Sequence, residues 1–138
     1  MALRYLLDTD TCIYLAKQVP RSVGARLASE PADAAAISVI TYGEMRFGAE
    51  QSSQRLLALA TLDHFAGMFE VLPLPPSVAV AYGMIRAELK RDGKLIGAND
   101  LWIASHAMAM NLTLVTNNVR EYQRVPRLRV ENWVNSLP

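Results

Sequence analysis

Arg4-Tyr5-Leu6-Leu7-Asp8-Thr9-Asp10-Thr11-Cys12-Ile13-Tyr14 is an apolar run that stops at a carboxylate and continues into small hydroxylated, then helix-compatible residues. That order predicts a short buried strand, Arg4 to Leu7, with Asp8 at its carboxyl end and a helix from Thr11 to Lys17. An ionised carboxylate in such a place must be hydrogen-bonded, paired or bound to a metal. Asp8 therefore reads as a functional residue, and the rest of the chain must supply its partners.

Working outward, Pro20 opens a second helix, Arg21 to Ser29, as a first-turn proline commonly does. Ala34 to Val39 is a short apolar run consistent with a buried strand, followed by a helix over Thr41 to Ala49. A longer helix spans Gln54 to Met68, with Leu56, Leu57, Leu59, Ala60 and Leu62 at three- and four-residue spacing. Glu70 to Leu72 is a strand. Ser77 is a suitable N-cap for a helix whose stripe is Val78, Ala81, Tyr82, Ile85 and Leu89, ending at Gly93. Asn99 can cap a helix from Asp100 to Met110, Thr113 to Thr116 is a β-branched strand, and Leu128 to Glu131 reads as an edge strand. Strands alternating with helices predict an α/β fold with a parallel sheet.

The chain of 138 residues, 51% hydrophobic and 20% charged, is expected to form one domain, residues 1–138, that buries roughly two thirds of its unfolded surface. A net charge of +1 places any nucleic-acid contact in a local basic patch rather than a global field. The single Cys12 excludes a disulfide framework and a cysteine zinc cluster, and it reads as a small core residue. With no apolar run of about 18 residues and no signal-peptide pattern, a cytoplasmic protein is expected.

In open α/β sheets, sites gather outside the carboxyl ends of the strands. Asp8 ends the first strand, Glu44 lies one turn into the helix after the second, Asp100 opens a later helix, and Asn117, Asn118 and Glu121 follow the fourth strand. Oxygen-bearing side chains converging without His or Cys suit Mg²⁺ or Mn²⁺. Each also has a plainer reading: Thr41 and Glu44 have capping-box spacing, Asp100 suits the first turn of a helix on dipole grounds, and Asp10 and Glu121 suit the surface. His64 and His106 read as structural. No nucleophile and base pair is evident, which leaves metal-assisted hydrolysis.

These motifs resemble those of the PIN-domain ribonucleases, and specifically the VapC toxins of bacterial toxin–antitoxin pairs. The residues that carry the resemblance are Leu6 to Tyr14, Ser38 to Glu44 with Phe47-Gly48-Ala49, Ile96 to Ala104, and Leu114 to Tyr122, in the family's order. The resemblance implies a three-layer α/β/α sandwich around a small, mainly parallel sheet. It implies that Asp8, Glu44 and Asp100 bind a divalent metal. Where many PIN domains carry Thr-Asn-Asp, this chain has Thr116-Asn117-Asn118, so either Asn118 contributes a neutral oxygen or Glu121 reaches in, and the metal count is left open at one or two. Asp10 stands where many relatives have Asn.

The implied activity is Mg²⁺-dependent hydrolysis of an RNA phosphodiester, such as one in a tRNA loop, by a metal-activated water. Arg86, Lys90, Arg91 and Lys94 before the Asp100 loop, and Arg120, Arg124, Arg127 and Arg129 after the Asn-Asn pair, form the expected phosphate-contacting rim. Tyr14, Tyr42 and Trp102 could stack a base or belong to the core. The implied partners are a small VapB-like antitoxin seated in an apolar groove and a second copy of the chain, with the helices over 11–29 and 54–68 as groove candidates. Two rivals remain. Asp8-Thr9-Asp10-Thr11 also resembles the start of a haloacid-dehalogenase phosphatase motif with Asp8 as nucleophile, and the missing fourth acid would suit a catalytically idle RNA- or protein-binding module.

Overall fold

The structure, a computed structural model, describes residues 2–135; Met1 and residues 136–138 of the expected domain lie outside the described residues. Its elements run β1 (Tyr5–Leu7), α1 (Thr9–Lys17), α2 (Arg21–Ala28), β2 (Ala35–Ser38), α3 (Val39–Glu50), α4 (Arg55–Ala66), β3 (Glu70–Leu72), α5 (Pro76–Arg91), α6 (Ala98–Ala109), β4 (Thr113–Val115), α7 (Val119–Tyr122) and β5 (Val130–Glu131).

All five strands are parallel, in the order β3-β2-β1-β4-β5. β1 is central, with Tyr5 opposite Ala35 on one side and Thr113 on the other. Strand residues alternate between faces, and so they divide between two cores. Leu6, Ala36, Leu72 and Leu114 pack with Ile85, Leu89, Leu101 and Ile103 beneath α5 and α6. Tyr5, Leu7, Ala35, Ile37 and Val115 pack with Cys12, Val23 and Phe65 beneath α1, α2 and α4. The parallel sheet expected from the strand and helix alternation and the three-layer sandwich implied by the family resemblance are thus present, and Cys12 is a buried core residue as expected. Among the described residues no helix is long and apolar enough to cross a membrane.

Several helix starts differ from the sequence reading for a common reason. Ser38 caps α3, its Oγ accepting from Ile40 N–H, so Thr41 lies inside the helix and the Thr41–Glu44 capping box does not form. Gly97, not Asn99, precedes α6, and Pro75 precedes α5 with Pro76 at its first position, leaving Ser77 inside. In each case an extended backbone residue begins the helix two or three positions before the side chain best suited to capping, and Thr41 and Asn99 are engaged instead in the cluster described below. α1 also begins earlier, at Thr9, because Asp8 is its N-cap and accepts from Thr9 N–H.

β1 is where the strand order reverses, since the chain leaves it first toward β2 and β3 and returns on the other side at β4 and β5. The carboxyl ends of β1 and β4 therefore form the crevice in which such folds place their ligands. The Asp8 N–H donates to Val115 O at 2.9 Å, which fixes the two strand ends side by side.

Candidate active site

Asp8 is 5% exposed and accepts on both oxygens: Oδ1 takes the Thr9 N–H at 2.8 Å and lies 3.3 Å from the Tyr122 hydroxyl, while Oδ2 takes the Thr116 hydroxyl at 2.7 Å. Burial, then the neighbouring Asp10, pushes its carboxyl from 3.8 up to about 6, against the opposing pull of the Thr116 and Thr9 bonds. Asp10 accepts from Asn117 N–H at 3.1 Å and sits 3.4 Å from Thr116 Oγ1, tying α1 to the segment after β4.

Asp100 stands in the first turn of α6, its Oδ1 3.1 Å from the same Tyr122 hydroxyl. Burial, then the Glu121 carboxyl within hydrogen-bonding reach, pushes it from 3.8 up to about 7. A first-turn acid held by the helix dipole alone would be lowered, so the dipole reading of Asp100 does not account for its surroundings. Glu121 is also bonded by Asn118 Nδ2 at 3.0 Å and lies 3.5 Å from the Gly97 N–H. Asn118 therefore orients Glu121, and Glu121 supplies the carboxylate beside Asp100.

Glu44, one turn and a half into α3, accepts from the Thr9 hydroxyl at 2.5 Å and from Asn99 Nδ2 at 3.3 Å. It is close enough to Asp8 to raise that carboxyl further. The structure thus brings together Asp8, Asp10, Glu44, Asp100 and Glu121 and adds neutral partners the sequence reading did not single out: Thr9, Asn99, Thr116 and Tyr122. As placed, no three His, Cys, Asp or Glu among the described residues are grouped tightly enough to grip an ion alone. The acids are tied instead to hydroxyls and amides, with Tyr122 between Asp8 and Asp100. The donor set is nonetheless entirely oxygen and carries more negative charge than its surroundings neutralise, which fits a hard divalent cation.

The cations divide. Arg4, Arg26, Arg46, Arg55 and Arg127 pair with carboxylates, Arg127 with Glu88 at 3.1 Å. Arg129 bonds to Asn111 at 2.8 Å, so Arg127 and Arg129 are occupied away from the acids. Lys94, Arg120 and Arg124, with Gly93, Gln123 and Pro126, line a cleft of about 540 Å³, and Arg124 holds the Leu95 carbonyl at 3.0 Å. Arg86 bonds to the Tyr82 hydroxyl, and Arg86, Lys90 and Arg91 do not line that cleft. Trp102 is stacked on Tyr82, with ring centroids 3.8 Å apart. Tyr42 and Tyr14 are half-buried and hydrogen-bonded to Asp63 and Asn117. His106 is buried against Ser38, and His64 is exposed. Among the described residues the Asp8 side chain has Thr9, Thr116 and Tyr122 as hydrogen-bond partners, and no lysine of the kind a phosphatase would place there is among them.

A parallel α/β/α sandwich whose acids meet at the switch point defines a class of compact hydrolytic domain, and the sequence profile of the PIN domain matches residues 5–128. The chain belongs to the PIN-domain family, and within it to the VapC proteins. It is 42% identical over 132 residues to Ribonuclease VapC2 of Haemophilus influenzae, covering 96% of this chain and 99% of that protein. It is 40% identical over 131 residues to the tRNA(fMet)-specific endonuclease VapC of Salmonella typhimurium, covering 95% and 98%. It also superposes on a chain of the crystal structure of DNA-bound VapBC from Salmonella typhimurium with a TM-score of 0.91 and 39% identity, covering 96% and 99%.

Proposed function

We propose that the chain is a single PIN domain acting in the cytoplasm as a Mg²⁺-dependent endoribonuclease, the toxin of a VapBC-type pair. The observation that carries this reading is the meeting of Asp8 and Asp100 at the Tyr122 hydroxyl with Glu121 beside Asp100, the first two carboxyls being raised to about 6 and about 7 by burial and neighbouring acids. Such a cluster is stable at neutral pH when a cation offsets it.

Asp8 and Asp100 would hold Mg²⁺, or Mn²⁺, with Glu121 as the third corner. A bound divalent ion lowers the pKa of its water and offsets the charge that develops on the phosphate. Glu44, held by Thr9 and Asn99, lies beside this set and is suited to orient the attacking water and accept its proton. Asn118 acts through Glu121 rather than as a ligand. Because Glu121 supplies the missing charge, the argument for an idle binding module loses its basis.

Lys94, Arg120 and Arg124 are the cations suited to hold the RNA phosphates, having no carboxylate partner among the described residues and flanking Gly97 and Glu121. A tRNA is the proposed substrate, supported by the tRNA(fMet)-specific relative. For the antitoxin we propose the groove of about 720 Å³ lined by Ile13 and Ala16 of α1, Met45 and Ala49 of α3, and Leu57 and Phe65 of α4. It ends at Thr9 and Glu44, so an occupant can reach the acidic site. The groove uses α3 where the sequence suggested α2. A homodimer and a hetero-oligomer with the antitoxin are proposed on the family likeness. Changing Asp100 to Asn should abolish Mg²⁺-dependent RNA cleavage with the far-UV circular dichroism unchanged; full activity in that variant would sink the assignment.

A further inference from the structure

We propose that the Tyr122 hydroxyl is the positioning group of the acidic site, tying the Asp8 and Asp100 carboxylates to one fixed point and thereby setting the affinity of the cation they share. This rests on the proposed metal-binding role of those two acids.

The Tyr122 ring is fully buried in the core formed with Leu6, Leu101, Leu114 and Val125. A tyrosine has two side-chain torsions, and with the ring locked by packing both are fixed. The main chain is fixed as well: Tyr122 N–H donates to Asn118 O at 3.3 Å and its carbonyl accepts from Val125 N–H at 3.0 Å. The position of the hydroxyl is therefore decided by the core and not by the acids it serves.

That hydroxyl lies 3.3 Å from Asp8 Oδ1 and 3.1 Å from Asp100 Oδ1, and these are its only hydrogen-bond partners among the described residues. A phenol has one proton, so it donates to one carboxylate at a time and keeps both within reach. The two acids depend on it unequally. Asp8 also takes bonds from Thr9 and Thr116. Asp100 has no other neutral donor to its side chain among the described residues. Without the hydroxyl, Asp8 stays oriented while Asp100 keeps only the acidic Glu121 beside it, and the ordering of Asp100 falls on the cation when it binds. Groups that orient metal-binding carboxylates typically contribute about 10–100-fold to metal affinity.

Titration calorimetry with Mn²⁺ on the full-length wild type, Tyr122→Phe and Asp100→Asn tests this, alongside circular dichroism and RNA cleavage at saturating metal. Phe keeps the ring in its core pocket and removes only the donor. The expected result is a folded Tyr122→Phe protein whose Mn²⁺ dissociation constant rises about 10–100-fold, with most of the cleavage rate recovered once metal saturates. An unchanged dissociation constant, even with a lowered melting temperature, would show a core residue only and overturn the inference. Should the Phe variant fail to fold, Tyr122→Met, which fills the pocket adaptably, is read by the same criterion. Wild-type protein that binds no Mn²⁺, or binding that survives Asp100→Asn, would overturn the metal-site reading itself and this inference with it. Binding that needs Asp100 but not the Tyr122 hydroxyl would overturn this inference alone.

Discussion

Changing Asp8 to Asn should stabilise the metal-free protein and inactivate it. The folded state holds the Asp8 proton more tightly than the unfolded chain does, since its carboxyl is raised from 3.8 to about 6. For an acid shifted upward, stability is greatest below the unfolded value and falls as pH rises through the folded one. At about 1.4 kcal/mol per unit, burying the charge costs about 3 kcal/mol above pH 7 and about half of that at pH 5. Asn has nearly the same shape, and the existing bonds can accommodate it. Oδ1 keeps the Thr9 N–H, and Nδ2 can donate to Thr116 Oγ1, whose proton can turn toward Asp10 at 3.4 Å. Thermal melts in EDTA at pH 5 and pH 8 should therefore show the variant melting higher at both, with a gain at pH 8 of roughly 5–10 °C and about half that at pH 5. Added Mg²⁺ should raise the wild-type melting temperature and leave the variant's unchanged. A variant less stable than wild type at pH 8, or a difference independent of pH, would refute the argument that this carboxylate is buried at a cost the cation offsets.

Other consequences are open to direct measurement. Because protons compete with metal at Asp8 and Asp100, the Mg²⁺-induced rise in wild-type melting temperature should be larger at pH 8 than at pH 5; equal rises would place the cation elsewhere. Glu121→Gln should weaken Mg²⁺ binding by about 10–100-fold in calorimetry, whereas Asn118→Ala should weaken it less, acting only through Glu121. Replacing Lys94 and Arg120 together with Ala should reduce the slope of log binding constant against log salt for single-stranded RNA by about 1.5, and an unchanged slope would remove them from the RNA rim. Leu57→Glu, at a site 63% exposed and so harmless to folding, should prevent co-purification of the co-expressed antitoxin while leaving RNA cleavage intact.

Much of this architecture was legible because short apolar runs that stop at acids, separated by helical patterns, have few parallel arrangements. Asp8, Glu44 and Asp100 could be named from their places after strands, and they do meet. Local propensity failed where tertiary demands outweighed it. Thr41 and Asn99 are good capping residues by type, yet the Thr41 hydroxyl lies 3.2 Å from that of Thr9 and Asn99 donates to Glu44. The relation between Asn118 and Glu121 needed the fold: both follow β4, and only the structure shows Asn118 bonded to Glu121 and Glu121 approaching Asp100. Tyr122 gave no local signal, because a tyrosine at helical spacing reads as core. Its ring is indeed core, but its hydroxyl addresses residues 114 and 22 positions away. The charges after β4 likewise looked equivalent in sequence, whereas Arg127 and Arg129 are drawn off by Glu88 and Asn111.

The central claim is that Asp8, Asp100 and Glu121 together hold one divalent cation. Anomalous diffraction from crystals soaked in Mn²⁺ addresses it most directly. The account predicts a single strong peak about 2.0–2.2 Å from oxygens of Asp8 and Asp100, on the side toward Glu121, that disappears in Asp100→Asn crystals. A peak away from these carboxylates, or none at saturating Mn²⁺, would contradict it.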